Sequence, residues 1–400
     1  MRSLRIVLAG GLLLAAASGA AQGTWVQKAS ISGVGRFWAA SFSAGGKGYA
    51  GTGRTGFSGN AVADFWEYDP ATDTWAQIAD YPGGAREGAS AFSTDAKGYV
   101  GFGTSFINFE KDFYEYDPAA NAWTALAACP GIGFAYSEGF VIDSTIYIGP
   151  ENGTGNVYAY QIGTNTWSEK ANFPGRDRRA QVAFSVDGTG YLGLGFWVFG
   201  SVQRDMWKYD PVADAWTEIS NMDIPSDQSF GFGLNGYGYV YNVGQNAKNL
   251  YRYDPAADAW ELDNTFPGNR TANASGFTIG DKGYLVFGEE TVSGGNTASS
   301  KLWEFTPNIF PNAADPDLPG MARLDAAPLP GKLLIREARY TGTASLELRD
   351  LSGRLAAERG LPPGGRWEGI WPLPALPAGV YVLRLQDASG AAAAQKLYIR

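Results

Sequence analysis

"GTWVQKAS" (residues 23–30) has the form of a segment that closes a repeat, yet it stands near the start of the chain. It matches "DTWAQIAD" (73–80) and "NTWSEKAN" (165–172), each of which ends a long unit. The preceding half of that unit recurs as "FWEYDPATDTW" (65–75), "FYEYDPAANAW" (113–123), "VYAYQIGTNTW" (157–167), "MWKYDPVADAW" (206–216) and "LYRYDPAADAW" (250–260). A sixth copy, "LWEFTPN" (302–308), begins correctly and stops before its tryptophan. The tryptophans 25, 75, 123, 167, 216 and 260 are spaced by 50, 48, 44, 49 and 44 residues. Six units own six tryptophans only if Trp25 serves the last unit, so the N-terminal strand is expected to fill the sixth unit's outer edge. Closing a ring of sheets in this way leaves no free edge at the join.

The other half of each unit is "GKGYAGTG" (46–53), "AKGYVGFG" (96–103), "STIYIGPE" (144–151), "GTGYLGLG" (188–195), "GYGYVYNV" (236–243) and "DKGYLVFG" (281–288). Four strands per unit follow: an inner strand such as "ASAFST", the glycine-rich strand, the alternating "FYEYD" strand, and the strand begun by the tryptophan. Asp-Pro suits the turn between the last two, since Pro fixes φ and Asp bonds nearby amides. The expected fold class is all-β, with six four-stranded sheets around an axis forming a six-bladed β-propeller. The "GYxGxG" strand, the "Y-D-P-x-x-x-x-W" segment and the N-terminal closing strand resemble the kelch-repeat family over residues 23–308. That resemblance implies the propeller fold, and says little of activity, because propellers host many.

Residues 1–21 carry Arg2 and Arg5, an apolar run and small residues, the pattern of a secretory signal peptide. No other stretch approaches the length of a membrane-spanning helix, so no transmembrane segment is expected. The propeller is assigned to 22–308 and a Pro/Asp-rich linker to 309–321. Residues 322–400 alternate apolar and polar positions around Gly turns, as a small β-sandwich-like domain would. Within it, "DLSGR" (350–354), "LPAGVYVLRL" (376–385) and "KLYIR" (396–400) resemble the C-terminal sorting domain of the type IX secretion system. A Tyr-Pro-Asn-Pro opening is usual in such domains, and "APLPG" (327–331) stands here instead. The resemblance implies a secreted or outer-membrane surface location in a Gram-negative bacterium, with that secretion machinery as a partner.

The formal charge is −9, of which the leader contributes +2 and residues 322–400 contribute +4, leaving −15 on 22–321. So acidic a body repels phosphate backbones, and no nucleic-acid partner is expected. Cys129, the single cysteine, precludes an internal disulfide and suits a buried position. The chain has no histidine. That excludes Ser-His-Asp and Cys-His catalysis, and with them the histidine-ligated copper of galactose oxidases. No metal and no cofactor are expected. The Asp-Pro turns (Asp69, Asp73, Asp117, Asp210, Asp214, Asp254, Asp258) read as turn caps rather than calcium ligands.

Strand direction places the start of each inner strand on one face. Counting 13 residues back from each repeat tyrosine gives Arg36, Arg86, Phe134, Arg178, Ser226 and Thr271, with Arg179 and Arg270 one residue away. Loops of the same face add Arg54, Phe106, Phe109, Trp197, Phe199 and Arg204. Arginine forks suit carboxylates and aromatic faces suit sugar rings. The candidate ligand site is therefore Arg36, Arg86, Arg178, Arg179, Arg270, Phe134, Trp197 and Phe199, at the channel mouth. The competing reading makes the arginines hydrogen-bonded links between neighbouring sheets. The functional expectation is a surface module binding a glycan or protein ligand. The alternatives are a sugar-acid-processing enzyme, similar to the exported kelch propellers that are sialic acid mutarotases, and a structural adhesin. An arginine-lined axial pocket holding a carboxylate would favour the enzyme. Removing residues 322–400 is expected to leave the remainder in the periplasm; its normal appearance outside the outer membrane on cell fractionation would refute the sorting assignment.

Overall fold

Alternating apolar strands separated by Gly and Asx turns can bury only one another's faces, and here they do so as a ring. The computed structural model describes residues 23–105, 108–150, 154–197 and 200–307, and in the tail 323–329, 332–339, 343–350, 355–363, 366–374, 376, 379–387 and 392–399. Residues 21–309 form one unit and residues 310–400 belong to another. In the first unit, six four-stranded antiparallel sheets follow one another. Their inner strands are Ala40–Ala44, Ser90–Ser93, Gly139–Ile142, Val182–Val186, Phe230–Leu234 and Ser275–Ile279. Each packs on the next, and the last packs on the first, which makes the unit a β-propeller and each sheet a blade.

The last blade is completed from the other end of the chain. Thr24–Lys28 pairs antiparallel with Leu302–Thr306, Thr24 opposite Thr306 and Lys28 opposite Leu302. The Trp25 ring packs 5.1 Å from Phe266 and 5.0 Å from Phe305.

The "Y-D-P-x-x-x-x-W" segment is a latch between blades. Asp73, Asn121, Asn165, Asp214 and Asp258 have φ between 47° and 53°, a left-handed geometry that Asn and Asp tolerate best after glycine. From there, one side-chain oxygen accepts two bonds. Tyr209 Oη donates to Asp214 Oδ1 at 2.6 Å, and the Ala171 amide of the preceding blade donates to the same atom at 2.9 Å. Trp216 Nε1 then donates to the Ala171 carbonyl at 3.0 Å, so both backbone groups of Ala171 are held by the next blade. The same set joins Asp73 and Trp75 to Ala29, Asn121 and Trp123 to Ala79, Asn165 and Trp167 to Ala127, and Asp258 and Trp260 to Ser220. In four of the turns the first Asp is the cap, Asp69 Oδ1 accepting from Ala71 N at 2.9 Å and Asp210 Oδ1 from Val212 N at 2.8 Å, with Asp117 and Asp254 alike; Gln161 stands there in the third blade.

The join itself is built differently. Gly23 occupies the Asx position and Phe305 the tyrosine position, so neither latch bond can form. A Cβ on Gly23 would collide with the Phe305 ring. Instead the Gly23 amide donates to Asp263 Oδ1 at 3.3 Å and Asn264 Nδ2 donates to the Gly23 carbonyl. Trp25 Nε1 is buried without a hydrogen-bond partner among the described residues.

The tail unit consists of a three-stranded sheet (Arg323–Leu329, Lys332–Arg339, Arg366–Pro372) and a four-stranded sheet (Leu355–Leu361, Ala344–Asp350, Gly379–Asp387, Ala392–Ile399). Leu333, Leu346, Leu348, Trp371, Leu383 and Leu385 form its core.

The latch predicts a selective loss. Asp214→Ala removes an acceptor that serves two donors, at about 1 kcal/mol or more each, and leaves Tyr209 Oη unpaired. A loss of about 2–3 kcal/mol in urea unfolding is expected, while Asp214→Asn should stay within about 1 kcal/mol of the parent, since Asn fills this role at 121 and 165. Equal losses for the two variants would refute the latch.

Candidate ligand site at the axial mouth

The three repeat arginines are not open to solvent. Arg36, Arg86 and Arg178 are 1%, 2% and 0% exposed. Each forms a fork-to-fork pair with an aspartate of its own blade. Arg36 reaches Asp64 at 2.6 and 2.8 Å, Arg86 reaches Asp112 at 2.5 and 2.8 Å, and Arg178 reaches Asp205 at 2.7 and 2.7 Å. A further Nη1 bond goes to the carbonyl of Thr52, Phe102 or Leu194, and each guanidinium lies about 5 Å over the ring of Phe287, Tyr81 or Phe173. Burial alone would raise the Asp64 and Asp205 carboxyls. The arginine bonds and the Trp66 and Trp207 indole N–H groups outweigh it and hold both below the usual range.

This corrects the expected basin, because these side chains clamp the blades rather than face a ligand. Phe134, at the same position in the third blade, is fully buried against Phe102 and Tyr158. Arg270 donates from Nε and Nη2 to the Val243 carbonyl at 3.1 and 3.0 Å. Trp197 is half-buried in a short wall strand, Phe196–Trp197, with Arg176 stacked 4.5 Å above its ring. Phe199 and Phe106 lie outside the described residues. Arg54 bonds to the carbonyls of Phe57 and Gly59 and reaches Glu87 at 3.8 Å, while Phe109 and Arg204 are exposed on outer loops.

Arg179 is the exception. It is exposed, it pairs across the wall with Phe196, and its guanidinium stands 6.0 Å from that ring. No carboxylate forms an ion pair with it among the described residues. Strand alternation explains the contrast: the side chain at 178 turns into the blade and the one at 179 turns out.

Two residues beyond each clamp position, the chain enters the left-handed region in every blade. Trp38, Gly88, Tyr136, Ala180, Gln228 and Asn273 have φ of 52°, 65°, 58°, 52°, 63° and 51°. Their backbones form a belt around the axis. Gly88 N donates to Trp38 O (2.9 Å), Tyr136 N to Gly88 O (2.9 Å), Ala180 N to Tyr136 O (2.6 Å), Asn273 N to Gln228 O (3.0 Å) and Trp38 N to Asn273 O (3.1 Å). Backbone strain repeated on this scale persists only where the surroundings impose it, and it concentrates at functional sites. At Gly88 a Cβ would meet the Tyr136 ring at 2.6 Å, so glycine lets Tyr136 lean over the opening.

The belt frames a cavity of about 290 Å³. Trp38, Tyr136 and Phe196 give it aromatic walls, and Arg179, Asp227, Gln228 and Asn273 give it polar groups. Trp38 and Tyr136 meet edge to face at 5.1 Å. Tyr136 Oη donates to the buried Glu87 at 2.6 Å; burial first and this bond second push the phenol up, against the pull of Arg179 and Arg54. Along the same inner strands lies a second cavity of about 280 Å³, lined mainly by small residues such as Ser41, Ala91, Gly139, Ser185 and Gly276. Glu138 is the one ionisable side chain lining it. It is open to the channel space and surrounded by protein, and this desolvation raises its carboxyl to about 7. The arrangement can hold a small anion against Arg179 and place a proton-exchanging carboxyl two residues deeper than Tyr136.

No protein-family model matches the chain, and no curated protein matches it in sequence. The chain is similar in structure to YjhT, at 16% identity and a TM-score of 0.55, over 69% of this chain and 96% of that one. The likeness supports the β-propeller fold and nothing finer.

The clamps predict an acid-dependent stability. A carboxyl whose folded pKa lies below its unfolded value near 3.9 stabilises fully above that value, and the gain disappears as pH falls through the folded pKa. Asp205→Asn leaves the fully buried Arg178 uncompensated and should cost about 3–5 kcal/mol at neutral pH. The gap from the parent should begin to narrow below pH ~4, where the unfolded parent takes up the proton, and close as pH falls on through the lower folded pKa. A gap constant between pH 7 and 3 in denaturant titrations would refute this account.

Proposed function

We propose that the propeller is a six-bladed, kelch-type module whose axial mouth binds a small carboxylate-bearing sugar. The observation that carries this is Arg179, an exposed guanidinium without a carboxylate partner among the described residues, set in an aromatic-walled cavity of monosaccharide scale. Arginine forks bind carboxylates in bidentate fashion, aromatic faces cover sugar rings, and Asp227, Gln228 and Asn273 are suited to hydroxyls. The site is thus narrower than the expected arginine ring, and it excludes the three clamps. The leader-like residues 1–21 and the "DLSGR…LPAGVY…KLYIR" tail support export and type IX sorting of the module to the cell surface or medium.

A second reading, a sugar-acid-processing enzyme of the sialic acid mutarotase kind, is favoured by Glu138. A carboxyl poised near 7 in a cavity of small residues is matched to proton transfer at neutral pH. Ring opening and reclosure at an anomeric centre requires only such transfers, without metal or histidine.

Calorimetric titration with D-glucuronate and N-acetylneuraminate, against glucose as the uncharged control, tests the first reading. Arg179→Ala should weaken the acids tenfold or more, the effect of ~1.4 kcal/mol, without moving the melting temperature. Arg86→Ala should lower the melting temperature instead. No binding of either acid, or equal binding by Arg179→Ala, would overturn the reading. Proton NMR exchange between anomers tests the second. The parent should accelerate interconversion and Glu138→Gln should not; a parent without effect would leave a binding protein only.

A further inference from the structure

Asn273 is locked at every polar atom but one. Its amide N–H donates to Gln228 O and its carbonyl accepts from Trp38 N, which fixes its backbone in the belt. Its Nδ2 donates at 3.1 Å to Glu289 Oε2, and Glu289 is itself 8% exposed and held through Oε1 by Asn296 Nδ2. The amide cannot be reversed, because Oδ1 would then face the Glu289 carboxylate. What remains is Asn273 Oδ1, a buried acceptor with no partner among the described residues, on a side chain 5% exposed that lines the mouth cavity. An unpaired buried acceptor costs about 1–3 kcal/mol, so one retained by a fully braced side chain calls for a donor from outside the chain.

We infer that Asn273 is a specificity-determining residue which accepts a hydrogen bond from a ligand hydroxyl or amide N–H. The inference rests on the reading that an acid binds at Arg179, and it narrows that ligand to an acid carrying a donor group on its ring. Glu289, on the hairpin Glu289–Val292 and Gly295–Ala298, is a positioning residue: it aims the carboxamide and touches no ligand. A site that leaves its own polar group unpaired when the donor is missing discriminates strongly against such analogues.

The test compares two ring acids, D-glucuronate and tetrahydropyran-2-carboxylate, the second lacking every hydroxyl. The parent should bind glucuronate at least thirtyfold more tightly. Asn273→Gly deletes the acceptor and tolerates φ of 51° without strain. It should weaken glucuronate tenfold or more and leave the deoxygenated acid within threefold. Glu289→Gln releases the amide and should erode the same preference, with melting curves confirming that both variants are folded. Arg179→Ala should weaken both acids alike. If Asn273→Gly weakens both acids equally, or the parent shows no preference between them, the role given to Asn273 is overturned while acid binding at Arg179 stands. If the parent binds neither acid, the Arg179 reading fails, and this inference with it.

Discussion

One side-chain oxygen in each of five blades, on an Asn or Asp held in the left-handed region, ties the propeller together; only the sixth, with Gly23 at that place, lacks it. It satisfies a tyrosine hydroxyl of its own blade and an amide of the blade before, while the tryptophan two residues later takes the neighbouring carbonyl. The backbone groups that it pairs lie at the half-open outer part of the boundary, so the latch holds adjacent blades together where apolar packing is thinnest. Ring stacking then fills the space: Phe42 lies 4.9 Å from Tyr49, and Phe184 lies 5.1 Å from Tyr191, each pair nearly parallel. The glycine before the tyrosine is where the neighbouring blade's phenylalanine rests, as Phe42 rests on Gly98. The motif that identifies the repeat is therefore the motif that joins the repeats.

Most of the architecture was legible because each of these demands repeats with the same residues. The tryptophan spacing located the closing strand, and Thr24–Lys28 pairs where that count required. The arginines were harder, because their absence from three blades looked like the asymmetry of a ligand site. The missing signal was also in the sequence. The blades with Arg36, Arg86 and Arg178 carry Asp64, Asp112 and Asp205 just before the third strand. The blades with Phe134, Ser226 and Thr271 carry Asn156, Asn249 and Lys301 at that place. Arginine and aspartate come and go together, as partners in a pair must, and a ligand site imposes no such coupling.

Arg179 was named from the sequence, but Trp38, Tyr136, Gln228 and Asn273, which share its cavity, were missed for the opposite reason. At the belt position the blades carry Trp, Gly, Tyr, Ala, Gln and Asn, six different residues. Fold recognition discards such a position because it fits no consensus. Physically it is a place where six copies of one backbone geometry carry different residues, five of which line a common cavity. Glu138 was hidden likewise: its neighbours in the channel are small, and only their assembly around the axis surrounds its open carboxyl with protein and raises it.

The join between first and last strands has a kinetic meaning. Its partners lie about 280 residues apart, so it is the contact of greatest sequence separation in the propeller, and the loop entropy of bringing such ends together is met only when the contact forms. The other five boundaries link adjacent stretches of chain and can assemble in order as the polypeptide emerges. Closure cannot begin until Leu302–Thr306 exists. Until then Trp25 has no blade to enter, and the hydrogen-bonding edge of the last sheet stands open to any passing strand. The chain thus folds as a row and matures as a ring, and the interval between the two is when it is most exposed to mispairing.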